Sequence, residues 1–515
     1  MIVAALIAGA AAWFVYAHGY TLYYGDAEAH LNIARRILDS RTPGPEQIGT
    51  VWLPLPHLAM LPFAMNDTLW RTGLAGTIVG GVAFVFSAAM IWLAARRAFA
   101  SDTAGWIAML LMVSNPNLLY LQATPMTEPL VFAGLMGLLY ATVCFGQTKS
   151  WASLIAAGIF ANAAALSRYE GWFVLPFVAL YILAAGGERR WIAFAGFCAM
   201  AALAPAAWIA HNLWYYGNPW EFYNGPYSAR AIYQRALDAG LARYPGDHEW
   251  SKAWLYFRTA AQLCSGWGLV VVGLLGLVAA LIRRAWWPVF FLLLPPVFYV
   301  LSLYSAGTPI FVPTLWPSSY YNTRYGLAAL PLFAFGGAAL TALAPARFHK
   351  AVAALAFVAA VIPWLAYPRL ESVVCWKESA VNSESRRGWT AEAAEVLRRN
   401  YRMGSGIFSS FGDQVGAFRE AGIPLREVLH NGNGPAWYGA AARPDLFLHE
   451  EWGLAIAGDP VEAALLQTLK RGPFFDRVTI ISVRDAPAVE IYRRHEDPLH
   501  KSPRREERLS SDLGR

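Results

Sequence analysis

Asp26 sits in the string YYGDAEAHLNIARRILDS, directly after an apolar stretch, and His30 follows four residues later. On a helix that spacing puts both side chains on one face. A carboxylate placed there suits a helix N-cap, a role compatible with a chemical one. Glu28, two residues on, reads as a solvated first-turn acid. Glu128, in QATPMTEPL, is a second acid at the start of another apolar stretch. With Asp26 it could frame an acceptor or a metal. Alternatively, Thr124 or Thr127 caps that helix, and Glu128 and Pro129 are simply good first-turn residues. Arg168, in SRYEGW, either pairs with Glu170 or meets an anion. Arg324, in NTRYGLAALP, has no acid within several residues and offers phosphate oxygens a rigid fork of donors. His57, in VWLPLPHLAMLPF, lies between two apolar halves and reads first as a structural histidine, although an imidazole there can also hydrogen-bond a phosphate or a sugar hydroxyl.

The elements that must position these groups are membrane spans. The chain has 515 residues, of which 57% are hydrophobic and 15% charged, against about 25% charged in soluble domains. The charges are segregated: residues 370–515 carry 20 Lys+Arg and 21 Asp+Glu, leaving 34 charged residues for the first 369. Eleven apolar stretches long enough for a ~30 Å hydrocarbon layer fall near 1–22, 74–95, 104–121, 129–146, 151–167, 171–187, 191–211, 263–282, 285–304, 325–344 and 349–367. The first lacks the basic n-region and cleavage site of a signal peptide and is kept as a span. The four cysteines show no CxxC spacing, so neither a disulfide framework nor a zinc knuckle is indicated. Basic residues occur in short pairs rather than as a patch, which argues against a nucleic-acid partner.

Those pairs set an orientation. Arg96 with Arg97, Lys149, Arg189 with Arg190, Arg283 with Arg284, and Arg347 with Lys350 occupy alternate connections, which the positive-inside rule assigns to the cytoplasm. The expected protein is a multi-pass inner (plasma) membrane protein, N-terminus cytoplasmic. The first loop 23–73, the long loop 212–262 and everything after 368 then lie outside, together with Asp26, Glu128, Arg168 and Arg324. Trp214, Tyr215, Trp220 and Tyr223 of the long loop suit interface anchoring or stacking on sugar faces.

The expected fold is mainly α, a polytopic transmembrane helical bundle of about eleven spans over 1–368, followed by a small extracytoplasmic α/β domain at 369–495 and a disordered tail at 496–515. In that domain, helices are expected at Trp389–Arg402, from about Asp413, and at Pro460–Lys470. An apolar run lies at Gly406–Phe411, and strand-like runs fall at Leu425–Leu429, Asp445–Leu448, Val478–Val483 and Val489–Tyr492.

Taken in order, YGDAEAHLNIARR, TPMTE, RYEGW and NTRYGLAALP resemble the GT-C glycosyltransferases, specifically the bacterial branch related to protein mannosyltransferases and aminoarabinose transferases, over roughly residues 20–345. The resemblance implies an inverting transfer of a monosaccharide from a polyprenyl-phosphate donor to an acceptor lipid, glycan or protein. It implies Asp26 as general base, Glu128 as the acid that positions the acceptor or assists Asp26, and Arg324 with Tyr325 against the departing phosphate. His30, His57 and Arg168 are the remaining candidates for substrate contact. The family often carries adjacent Asp-Glu in the first loop; here an alanine separates Asp26 from Glu28, turning the second carboxylate away by about 200° on a helix. No particular cofactor is indicated, and a divalent metal stays open, since some GT-C enzymes bind one and others do not. The competing readings are a lipid or polysaccharide transporter or flippase, which would need polar groups within the spans, and a non-catalytic envelope assembly protein with a GT-C-like body.

Overall fold

A computed structural model describes residues 1–305, 307–366 and 368–495. The chain divides into two units. The first comprises residues 1–34 and 48–382, and the second residues 35–47 together with the chain from 383 onward. The tail expected at 496–515 lies outside the described residues.

The first unit is a helical membrane domain. Six of its helices are long and apolar enough to cross a bilayer: Leu74–Phe99, Glu128–Thr148, Gly187–Tyr216, Trp286–Tyr304, Thr323–Leu343 and Ala346–Ala366. Two bent pairs raise the number to eight. The stretches expected at 1–22, 151–167 and 171–187 form apolar helices of 16, 15 and 16 residues, about 24 Å each. Among the described residues, length and composition by themselves mark six to eight spans, with these shorter apolar helices beside them.

The two breaks are written into the chain. Asp102–Val113 and Pro116–Gln122 meet at 69°, where the Asn115 side chain accepts from Leu118 N and Pro116 opens the second helix. Trp250–Ser265 and Trp267–Ile282 meet at 109° across Gly266, whose φ of +80° favours glycine and whose Cβ would come within 2.9 Å of the Trp364 ring. Close approach also locates the site. A Cβ on Gly326 would fall 2.3 Å from the Ala260 backbone, so glycine lets the 3₁₀ segment Thr323–Ala329 lie against the helix Trp250–Ser265.

In the helix Gly25–Arg36 and the two residues after it, Leu31, Ala34, Ile37 and Leu38 are spaced as one apolar face. Leu31, Ala34 and Ile37 are buried as that face requires, but Glu28, His30 and Asn32 are buried too, and Leu38 is exposed. The helix is enclosed rather than half-solvated, so Glu28 is not a solvated acid. Partners on its polar side explain this: Asn32 accepts from the Trp70 indole at 3.0 Å, and His30 contacts His57.

The second unit is α/β, with a five-stranded sheet: β1 Ile407–Ser409, β2 Val428–Leu429, β3 Trp452–Ile456, β4 Phe475–Ile481 and β5 Val489–Arg494, in the order β2-β1-β3-β5-β4. β1 runs parallel to β2 and β3, while β5 is antiparallel to β3 and β4. Helices Glu384–Asn400, Val415–Ala421 and Pro460–Arg471 accompany it. Two expectations are corrected. Asp445–Leu448 is no strand, because Pro444 opens a one-turn helix, Pro444–Phe447. β3 was not foreseen: WGLAI is a short apolar run without alternation, the pattern of a strand buried on both faces, which periodicity does not separate from helix.

Residues 35–47, although in the first loop, are built into this unit. The buried Asp39 carboxylate accepts from Arg35 Nε at 2.7 Å, Leu425 N at 3.2 Å, and Arg426 N and Nη1 at 3.3 and 3.1 Å. Asn433 Nδ2 donates to the Ser40 and Thr42 hydroxyls. Hydrogen bonds to a charged acceptor contribute about 1.5–3 kcal/mol each, so Asp39→Ala is expected to loosen this unit by roughly 3 kcal/mol. Limited proteolysis of the whole protein checks it: cleavage within 383–495 should accelerate, and unchanged resistance would show that the clasp contributes little.

Candidate active site

Asp26, Glu128, Glu170 and Arg324 stand at helix ends, on the side of the bundle away from the basic pairs. Glu128 begins the helix that ends at Thr148, just before Lys149, and Glu170 begins the helix that ends before Arg189. Arg324 precedes Leu330–Leu343, which ends before Arg347. Asp26 is the second residue of Gly25–Arg36, inside its first turn rather than at its cap. Neither threonine caps the Glu128 helix. The Thr124 hydroxyl donates to Leu121 O, and the Thr127 hydroxyl accepts from Arg168.

Arg324 gathers the site. Its Nη2 is ion-paired with Asp26 Oδ2; its Nε donates to Glu128 Oε1 at 3.1 Å and its Nη1 to Glu378 Oε1 at 3.2 Å. The guanidinium also faces the Tyr24 and Tyr325 rings, 5.0 and 5.1 Å from their centroids. Arg168 forms a second hub. It donates to Glu170 at 2.7 Å, to Glu128 at 3.2 Å, to the Thr127 hydroxyl at 2.9 Å and to the Tyr299 hydroxyl at 2.9 Å. The pairing with Glu170 that the sequence offered for Arg168 is present, and Glu128 is a second acidic partner. Tyr325 stacks on Tyr299 and lies beneath both guanidinium groups. Four carboxylates thus surround two arginines. Glu128, Glu170 and Glu378 are buried, whereas the Asp26 side chain keeps 41% of its surface exposed. A small cavity lined by Glu128, Glu170, Tyr299, Arg324 and Tyr325 adjoins the cluster.

His30 and His57 are buried together, Nδ1 to Nε2 at 3.0 Å, with the Trp52 ring 4.5 Å from His30. Burial, reinforced by Arg168 and Arg324, lowers the His30 pKa to about 3, so the ring is neutral at working pH. A histidine depressed in the folded state contributes stability that is full above the unfolded value near 6.5 and is lost as pH falls toward 3. About 2 kcal/mol should be gone by pH 5. His30→Asn is expected to remove this part of the acid sensitivity, read as a smaller drop in melting temperature between pH 7 and pH 5 than in wild type; an identical drop would refute it.

Sequence reasoning missed Glu378 and Tyr299. Glu378 lies on the helix Val374–Asn382, in a stretch assigned to the soluble domain but belonging to the membrane unit. No local pattern marks it. Tyr299 is one apolar-looking residue of a span. As to a metal, no three or more His, Cys, Asp or Glu side chains among the described residues are arranged to hold an ion. The site carboxylates face guanidinium groups instead.

The chain is a polytopic membrane protein with the fold of the GT-C glycosyltransferases. Two solved structures of ArnT from Cupriavidus metallidurans match it over nearly the whole length. The form bound to undecaprenyl phosphate is 15% identical with a TM-score of 0.54, covering 94% of this chain and 97% of that one. The apo form is 14% identical with a TM-score of 0.55, covering 95% and 97%. Residues 67–215 match the dolichyl-phosphate-mannose-protein mannosyltransferase family. Among curated protein sequences, none matches.

Proposed function

We propose that the protein is an inner-membrane glycosyltransferase that moves a monosaccharide from a polyprenyl-phosphate donor to an acceptor hydroxyl at the outer face, with inversion. The observation that carries this reading is Asp26: of four carboxylates around two arginines, it alone is substantially exposed, and it holds the one Arg324 nitrogen not tied to a buried acid. The donor phosphate takes the place of Asp26 on Arg324 Nη2. Asp26, released, accepts the proton of the attacking hydroxyl. The acceptor oxygen bonds to the anomeric carbon from the face opposite the phosphate, the carbon–phosphate oxygen bond breaks, and Arg324 meets the charge on the departing lipid phosphate. Glu128 fixes Arg324 and Arg168 together, Tyr325 lines the cavity beside them, and Arg168, His30 and His57 are the further candidates for substrate contact. The orientation rests on the five basic connections, which place the N-terminus in the cytoplasm and this end of the bundle outside.

The relative with undecaprenyl phosphate bound shares the fold, which supports a lipid-phosphate ligand. Purified protein incubated with polyprenyl-phosphate sugars and candidate lipid, glycan and protein acceptors should yield an inverted glycoside by NMR. Absence of transfer from every such donor would favour a transporter or assembly role instead.

A further inference from the structure

Glu378 is the least expected member of the cluster. Its Oε2 accepts the Thr323 backbone N–H at 2.8 Å and its Oε1 the Arg324 guanidinium at 3.2 Å, so one carboxylate grips consecutive residues by backbone and side chain. The short helix that carries it is itself fastened to the membrane unit. Cys375 N donates to Asn117 Oδ1 at 2.9 Å, the Ser379 and Tyr120 hydroxyls lie 2.7 Å apart, and Asn382 Nδ2 donates to Tyr320 O at 2.8 Å. Asn117 also donates to Cys264 O at 3.0 Å, at the bend beside Gly266, tying this helix to the same break that supports residues 323–329.

We infer that Glu378 is a positioning residue: with Glu128 it holds Nη1 and Nε of Arg324 from behind, so that Nη2 alone is directed at the exposed mouth where Asp26 and the donor phosphate exchange. This rests on the transfer reading above. The cluster has four carboxylates to two guanidinium groups, so a buried Glu378 anion is not needed to neutralise Arg324. Burial pushes its pKa up, against the opposing pull of Arg324. A buried carboxylate beside a guanidinium at a cavity is a candidate for a functional role.

Glu378→Gln in the full-length protein tests this with three readouts. Expected are a 10- to 100-fold fall in kcat, KM and the Kd for undecaprenyl phosphate within threefold of wild type, and a melting temperature equal to or above wild type. Glu378→Asp, which keeps the charge but withdraws it by one methylene, should lose kcat similarly. Wild-type kcat in Glu378→Gln overturns the inference, as does a joint loss of binding, kcat and melting temperature, which would mark a purely structural role. If wild-type protein transfers nothing from any polyprenyl-phosphate sugar, the function reading fails separately, and the melting temperature still decides: a lower value in Glu378→Gln overturns the inference.

Discussion

Asp26→Asn is expected to lower kcat by about 10²- to 10⁴-fold, the usual contribution of a positioned general base, while the protein stays folded and binds undecaprenyl phosphate at least as tightly as wild type. The substitution preserves shape and a hydrogen-bond acceptor for Arg324, whose Nη2 pairs with Asp26 Oδ2, and removes only basicity and one negative charge. Because the site holds more carboxylates than guanidinium groups, losing one leaves no unpaired cation. The anionic lipid phosphate also meets less repulsion and no longer competes with a carboxylate for Arg324. Initial rates with a polyprenyl-phosphate sugar and equilibrium binding of the lipid phosphate measure the two effects independently. Transfer by the variant at the wild-type rate would remove Asp26 from the chemistry.

The second large effect is on Arg324. Arg324→Met strips one cation from among three carboxylates, two of them deeply buried. Removing one partner of a buried ion pair typically costs 3–5 kcal/mol, and the fixed positive charge facing the departing phosphate is lost as well. Expected are a loss of roughly 3–5 kcal/mol in stability and a fall of at least about 10²-fold in kcat/KM. The two losses separate in the double variant Arg324→Met/Glu378→Gln: stability should partly return, because the stranded buried charge has gone, while transfer should not. Groups that share a partner are non-additive in this way. A double variant whose melting temperature equals the sum of the single effects would show that Glu378 and Arg324 are not coupled.

Much of this architecture was legible in the chain because its determinants are local. An apolar run declares a helix in lipid whatever lies beside it. The bends at Asn115-Pro116 and Gly266 were not legible, 104–121 and 263–282 reading as unbroken stretches, because a cap or a glycine inside an apolar run leaves its hydrophobicity unchanged. Asp26, Glu128, Arg168 and Arg324 stood out because charged residues at span ends are rare in a segment with so few charges. The α/β character of the second unit was readable as well, though a double-sided apolar strand such as Trp452–Ile456 was not, since without alternation it carries no period to recognise.

By itself, then, the sequence determined which segments are apolar and which few ionisable groups stand at their ends. Only the tertiary structure decided which of those groups meet. Arg324 finds Asp26, Glu128 and Glu378 at separations of 298, 196 and 54 residues, and residues 35–47 join a unit whose remaining chain begins at 383. The physical reason is that a buried charge has no stable state alone in a low-dielectric interior and must be met by whatever counter-charge the packed helices bring within reach. That choice depends on the packing of the whole bundle, and no window along the chain contains it.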